Sequence, residues 1–166
     1  LYDQRLKLLG IQLAGTAALD NDRKAAEALR NIGRVHEDHG DFALALDYYT
    51  QSLARYELID DDHGRAKTLK YMANANLYVD HVRAADLYQQ CYEVQQSIGD
   101  ERGAARTLMG IALSRHHAAD LDGALQLYRD SIAASQKLGD IHAVALANNN
   151  LALLHIRGRT RCAARR

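Results

Sequence analysis

An Asp stands at residues 20, 60, 80, 100, 120 and 140, and another at 41, where 40 would complete the series. This spacing constrains the fold more than any other feature of the 166 residues, because it is the spacing of helix starts. An Asp side chain accepts a hydrogen bond from the free N–H groups of a helix's first turn, and its charge suits the positive end of the helix dipole. Helices of about 17 residues separated by short turns start every twenty residues or so, and their caps recur with them. Gly99 and Gly139 sit where a left-handed helix end favours glycine. The chain has no proline, where average usage would give roughly eight. Proline breaks helix interiors but is common in turns and loops, so its absence over this length argues for helix nearly everywhere. The expected fold class is all-α.

A longer period lies over the short one. The segment 64–75, GRAKTLKYMANA, aligns with 103–114, GAARTLMGIALS, and 84–100 aligns with 124–140 and with 45–61. Small residues recur at Ala45, Ala84, Ala124 and Ala164, at Ala26, Ala66, Ala105 and Ala145, and at Gly33, Ala73, Ala112 and Ala152. A bulky column runs through Leu9, Tyr49, Tyr88 and Tyr128. Each period near forty residues therefore holds two helices whose apolar stripes follow i, i+3, i+4 spacing. The small columns mark where two helices approach closely, and the tyrosines fill the space between pairs. One pair cannot bury its apolar faces alone, so the pairs are expected to stack into a solenoid. The expected units are a second helix over 1–20, repeats over 21–61, 62–100 and 101–140, and a partial repeat over 141–166, all in one domain.

These columns resemble the tetratricopeptide repeat family, best over 29–49, LRNIGRVHEDHGDFALALDYY. The spacing near forty is similar to the longer subtype of kinesin light chains, Leu-Gly-Asn-repeat adaptors and bacterial regulators and peptide sensors, and 148–155, NNNLALLH, is similar to the kinesin light chain version. The resemblance implies a right-handed solenoid of antiparallel hairpins whose first helices line a concave peptide-binding face. Its non-core arc holds Glu27, Arg30, Arg34, Glu37 and Asp38, then Lys67, Lys70, Asn74, Leu77 and Tyr78, then Arg106, Met109, Leu113, His116 and His117, then Asn149, Leu153 and Arg157. Arg30, Arg34, Lys67, Lys70 and Arg106 form a basic stripe, and Asn74 and Asn149 add amides able to hold a peptide backbone. Tyr78, His117 and Leu153 complete the candidate ligand groove. Lys70 and Asn74 match half of the family's clamp for a C-terminal carboxylate, while Gly110 stands where an Asn or Arg would complete it. An acidic extended or helical peptide is the expected ligand.

Charge and motifs exclude other classes. Residues 157–166 hold five Arg and no acid, which leaves 16 basic against 21 acidic residues in the rest of the chain. That balance disfavours a polyanion, so nucleic acid is not an expected partner. No apolar run approaches a membrane span. Two cysteines, Cys91 and Cys162, suit a reducing compartment, and the cytoplasm is expected. No phosphate loop, nucleophile elbow or catalytic Cys–His signature occurs, so no enzyme activity and no cofactor are expected. Eight histidines do not converge with the spacing that zinc requires. Both ends look cut from a longer array, which predicts self-association through exposed repeat ends. Three functions remain open: an adaptor or sensor that binds a protein or peptide, an effector domain that controls a linked enzyme or transcription regulator, and a structural oligomerisation module.

Overall fold

The computed structural model describes residues 2–14 and 22–163. Every regular element among them is an α-helix: α1 (Tyr2–Ala14), α2 (Asp22–Asp38), α3 (Phe42–Leu58), α4 (Asp62–Asn76), α5 (His81–Ser97), α6 (Glu101–His117), α7 (Leu121–Lys137) and α8 (Ile141–Ala163). Asp20, the turn at 19–21 and Ala164 lie outside the described residues, as do the side chains from Arg157 onward.

The turns share one construction. The N–H groups of Asp41, Asp61, Asp100, Asp120 and Asp140 each bond back to the carbonyl five residues earlier, on His36, Tyr56, Gln95, Arg115 and Ser135. This closes each helix with a residue at positive φ: Gly40, Asp60, Gly99, Ala119 and Gly139. The following Asp opens the next helix. Asp61, Asp100, Asp120 and Asp140 accept the N–H of Gly64, Gly103, Gly123 and Ala143. Asp80 accepts from Val82 and Arg83. The periodic Asp is thus a cap at four of its expected positions. Asp60 is not: it holds the left-handed position at φ 51°, and Asp61 caps α4 in its place. Asp41 stands at the N-cap of α3 without a side-chain cap bond.

Consecutive helices pack as antiparallel neighbours throughout. In addition α2 touches α4, α4 touches α6 and α6 touches α8, whereas α3, α5 and α7 do not touch one another. The first helices of the pairs therefore form the continuous inner layer, and the second helices splay apart on the outside. The residue columns explain this curvature. Ala45, Ala84 and Ala124 are fully buried, and Tyr49, Tyr88 and Tyr128 beside them reach inward. The ring of Tyr49 lies so close to Gly33 that a Cβ there would sit 2.6 Å from Cε1. One turn beyond the tyrosines, Ser52, Cys91 and Ser131 reach the carbonyls of Ala26, Ala66 and Ala105 at 2.7, 3.1 and 2.7 Å. Cys91 is thus a packed thiol that repeats the serine's bond, and burial pushes its pKa up.

The last members of two small columns differ. Ala145, Ala152 and His155 are exposed on α8, because no further helix packs there among the described residues. Ile141, Leu153 and Ile156 are exposed on the same helix. His36 is buried. It stacks on Tyr48 at 5.3 Å and shares a 2.9 Å hydrogen bond with Tyr2.

Candidate functional site: the inner groove

The inner layer encloses a groove of about 490 Å³ that runs from the last turn of α2 across α4 and α6 to the first turns of α8. Its walls carry Glu37, Lys70, Asn74, Leu77, Tyr78, Tyr88, Arg106, Met109, Gly110, Leu113, His142, Leu146 and Asn150. A second recess of about 410 Å³ shares Lys70 and Arg106 and adds His63, Lys67, Asp100 and Arg102. Lys70 and Arg106 therefore stand between an amide-and-apolar chamber and a basic one.

The outer tyrosines set the polar groups of this groove. Tyr88 donates to Asn74 Oδ1 at 2.5 Å. With its oxygen engaged, the Asn74 amide nitrogen is left to donate to a ligand carbonyl. Tyr49 donates to Glu37 Oε2 at 2.5 Å. Burial raises the pKa of both phenols well above the ordinary range, so both remain donors at neutral pH. Tyr128 is their counterpart in the third pair. Leu113 stands where Asn74 does in the repeat, and the buried Tyr128 hydroxyl has no hydrogen-bond partner among the described residues; burial pushes its pKa up to about 12.

Tyr88 also accounts for the missing half of the carboxylate clamp. Its ring packs on Gly110, where an added Cβ would lie 2.5 Å from Cε1. A side chain at 110 would have to displace a mostly buried ring, so the groove floor is backbone there. Arg106 is anchored differently. Its Nε and Nη2 donate to Asp140 Oδ2 at 2.8 and 2.7 Å. The bond from the Ala143 N–H holds the Asp140 carboxyl below the usual carboxylate range; burial opposes this and Arg106 reinforces it. Asp140 thereby caps α8 and fixes an arginine in the groove at once.

Of the residues expected in the groove, Lys70, Asn74, Tyr78 and Arg106 are brought together. Lys67 lines the basic recess beside them. Tyr78 forms an exposed lip, stacked on Phe42 at 4.7 Å. Arg30 departs from expectation. It is buried, donates to Tyr56 Oη at 2.7 Å, and lies 5.5 Å from the centre of that ring. It is part of the packing between α2 and α3. Arg34 is exposed on α2 with its guanidinium 5.4 Å from the Tyr71 ring, outside the groove wall. His117 stacks on His81 at 4.8 Å, away from the groove. Asn149 and Leu153 are exposed on α8, but the groove is lined instead by Leu146 and Asn150.

The sequence arc omitted His142, Leu146 and Asn150. Among the described residues helix α8 has a neighbour on one side only, so transferring the phase of α4 and α6 to it misses its placement. The signal for Asn150 was the amide run 148–150 with its neighbours, which does not distinguish adjacent positions. Among the described residues no group of three or more His, Cys, Asp or Glu could hold a metal ion, and no helix is long and apolar enough to cross a membrane.

Residues 24–97 match the tetratricopeptide repeat family. No curated protein matches the sequence. Among solved structures, aspartyl phosphate phosphatase F from Bacillus subtilis superposes with a TM-score of 0.83 at 15% identity, over 99% of this chain and 45% of its own. BtubC (BKLC) from P. vanneervenii gives 0.80 at 16% identity, over 95% of this chain and 66% of its own. The kinesin light chain TPR-like repeats from Podosopora anserina give 0.76 at 15% identity, over 99% of this chain and 82% of theirs. The chain thus spans less than half of the phosphatase and about two thirds of BtubC. The resemblance first visible in the residue columns holds: residues 24–97 match the tetratricopeptide repeat itself, and the described chain is a TPR-like all-α solenoid, a fold that commonly mediates protein–protein interaction and is typically a non-catalytic scaffold.

Proposed function

We propose that the inner groove binds an extended peptide segment of a partner protein, and that the chain serves as the adaptor or sensor part of a larger regulatory protein. The observation that carries this is the continuous groove itself. It combines an apolar floor at Leu77, Met109, Leu113 and Leu146 with oriented polar groups at Asn74, Lys70 and Arg106. A concave site of mostly apolar lining with a few placed polar groups is the ordinary form of a ligand site. The anchoring of Asn74 by Tyr88 and of Arg106 by Asp140 holds these groups before a ligand arrives, which lowers the ordering cost of binding. An acidic residue in the ligand suits Lys70 and Arg106.

The test is equilibrium binding of peptides selected on the protein from a displayed random library, compared with a Lys70→Glu/Leu146→Glu variant. Both side chains are exposed, so the melting temperature should hold. Affinity should fall at least tenfold, about 1.4 kcal/mol or more. Equal affinity in the variant would place the binding surface elsewhere.

The exposed apolar residues of α8 support a second role, self-association through that helix.

A further inference from the structure

We infer that the groove selects a charge-ordered peptide, with a basic residue against Glu37 and an acidic residue against Lys70 and Arg106 across an apolar spacer. This deepens the peptide-binding function proposed above and rests on it. It also replaces a uniformly acidic ligand with one that carries both signs in a fixed order.

Among the described residues that line the groove, Glu37 is the only acid. It stands half-buried on the last turn of α2, and the fully buried Tyr49 holds one of its oxygens. Its other oxygen is free to accept. No basic side chain lies within ion-pairing distance of it among the described residues. The nearby Arg34 is drawn over the Tyr71 ring. Burial raises the Glu37 pKa, Tyr49 and Arg34 oppose that rise, and Asp38 adds to it. A carboxylate in this position is under-compensated. A ligand cation would stabilise it, whereas a ligand acid would set two carboxylates together in a partly desolvated recess.

The opposite end carries the opposite sign. Lys70 is exposed with no ion pair among the described residues, and its ammonium lies 6.0 Å from the centre of the Tyr71 ring. Asp140 engages two N–H groups of Arg106, and a guanidinium has five, so three remain for a ligand. Leu77, Met109 and Leu113 line the same groove as these charges.

The helices set the spacing. Glu37 is on the last turn of α2, Lys70 is midway along α4 and Arg106 is in the second turn of α6. With packed axes ~8–10 Å apart and ~1.5 Å of rise per residue, the Glu37 backbone lies roughly 15 Å from that of Lys70 and roughly 25 Å from that of Arg106. The side chains reach into these gaps. An extended ligand at ~3.3 Å per residue therefore carries its two charges about three to six residues apart.

The experiment pans a displayed random peptide library on the wild-type chain and on Glu37→Gln. Gln keeps an acceptor for Tyr49, and a thermal melt verifies that the variant is folded. On the wild type, enriched sequences should pair Lys or Arg with Asp or Glu in one order at a narrow spacing. On Glu37→Gln the acidic position should persist and the basic one should lose its preference. Measured by fluorescence anisotropy, neutralising the ligand's basic residue should cost about tenfold on the wild type and little on the variant. Enrichment of acidic sequences without a basic position, or equal enrichment on both proteins, would overturn the charge order while leaving peptide binding intact. No enrichment on the wild type would overturn both.

Discussion

The contact between Tyr56 and Gly64 offers a sharp test of the packing account. An added Cβ on Gly64 would stand 2.1 Å from Tyr56 Cδ1 and 2.6 Å from Cγ. Because Cγ is the root of the ring, rotation about the ring axis does not relieve the clash, and α3 and α4 must shift. The equivalent pairs are Gln95 with Gly103 and Ser135 with Ala143, aligned by the same turn hydrogen bonds. As the outer residue shrinks, the inner one is allowed its Cβ. Overpacking costs about 1–3 kcal/mol, and Ala in place of Gly returns up to about 1 kcal/mol of helix propensity. Gly64→Ala should therefore destabilise by about 1–2 kcal/mol. In a Tyr56→Ser background, which copies the third pair, the same change should stabilise by about 0.5–1 kcal/mol. Tyr56→Ser itself removes a fully buried ring and the acceptor for Arg30, at about 3–5 kcal/mol, but that loss is common to both arms and cancels in the cycle. The coupling is then about 2 kcal/mol, read from urea denaturation midpoints of the four proteins as a shift near ~1 M. Additivity within about 0.5 kcal/mol would refute the matched-pair explanation.

Three other outcomes are expected. Ala119 holds φ 66° at a turn position where three of its equivalents are Gly, so Ala119→Gly should raise stability by about 0.5–1 kcal/mol, seen as a rise of ~2–4 °C in thermal melts. The Asp140 pKa is lowered in the fold, so its contribution is present above the unfolded value near ~3.9 and is lost as pH falls through the folded value; the acid limb of stability against pH, followed by circular dichroism, should be shallower in Asp140→Asn. The apolar face of α8 should drive association at high concentration, so light scattering should report a lower mass for Leu153→Lys/Ile156→Lys than for the wild type, and equal masses would discount that face.

The architecture was legible because it depends on repetition. The tyrosine column and three small columns recur wherever a helix has both neighbours, so Tyr49, Tyr88 and Tyr128 are buried together. The groove was legible only in part, because its residues are set by departures from the repeat. Arg30 occupies the place of Lys70 in the pattern, yet Tyr56 at the end of α3 draws it into the interior. Arg106 reads as a free cation in sequence, and only the fold brings Asp140, 34 residues away, against it. Asp60 and Asp61 are adjacent acids, and the left-handed turn rather than residue type decides which one caps. Gly110 reads as a missing ligand group, whereas the ring of Tyr88 requires the glycine. The Asp60/Asp61 choice is made within one turn, whereas Arg30, Arg106 and Gly110 each depend on a partner more than twenty residues away, which the period alone does not specify.

The most direct test of the central claim is amide chemical-shift mapping of the folded chain with a library-selected peptide. Peptide binding in the inner groove predicts saturable shifts at Lys70, Asn74, Arg106, Met109, Leu113 and Leu146, with the outward faces of α3, α5 and α7 unchanged. Shifts confined to those outer helices, or to the open face of α8, would contradict it.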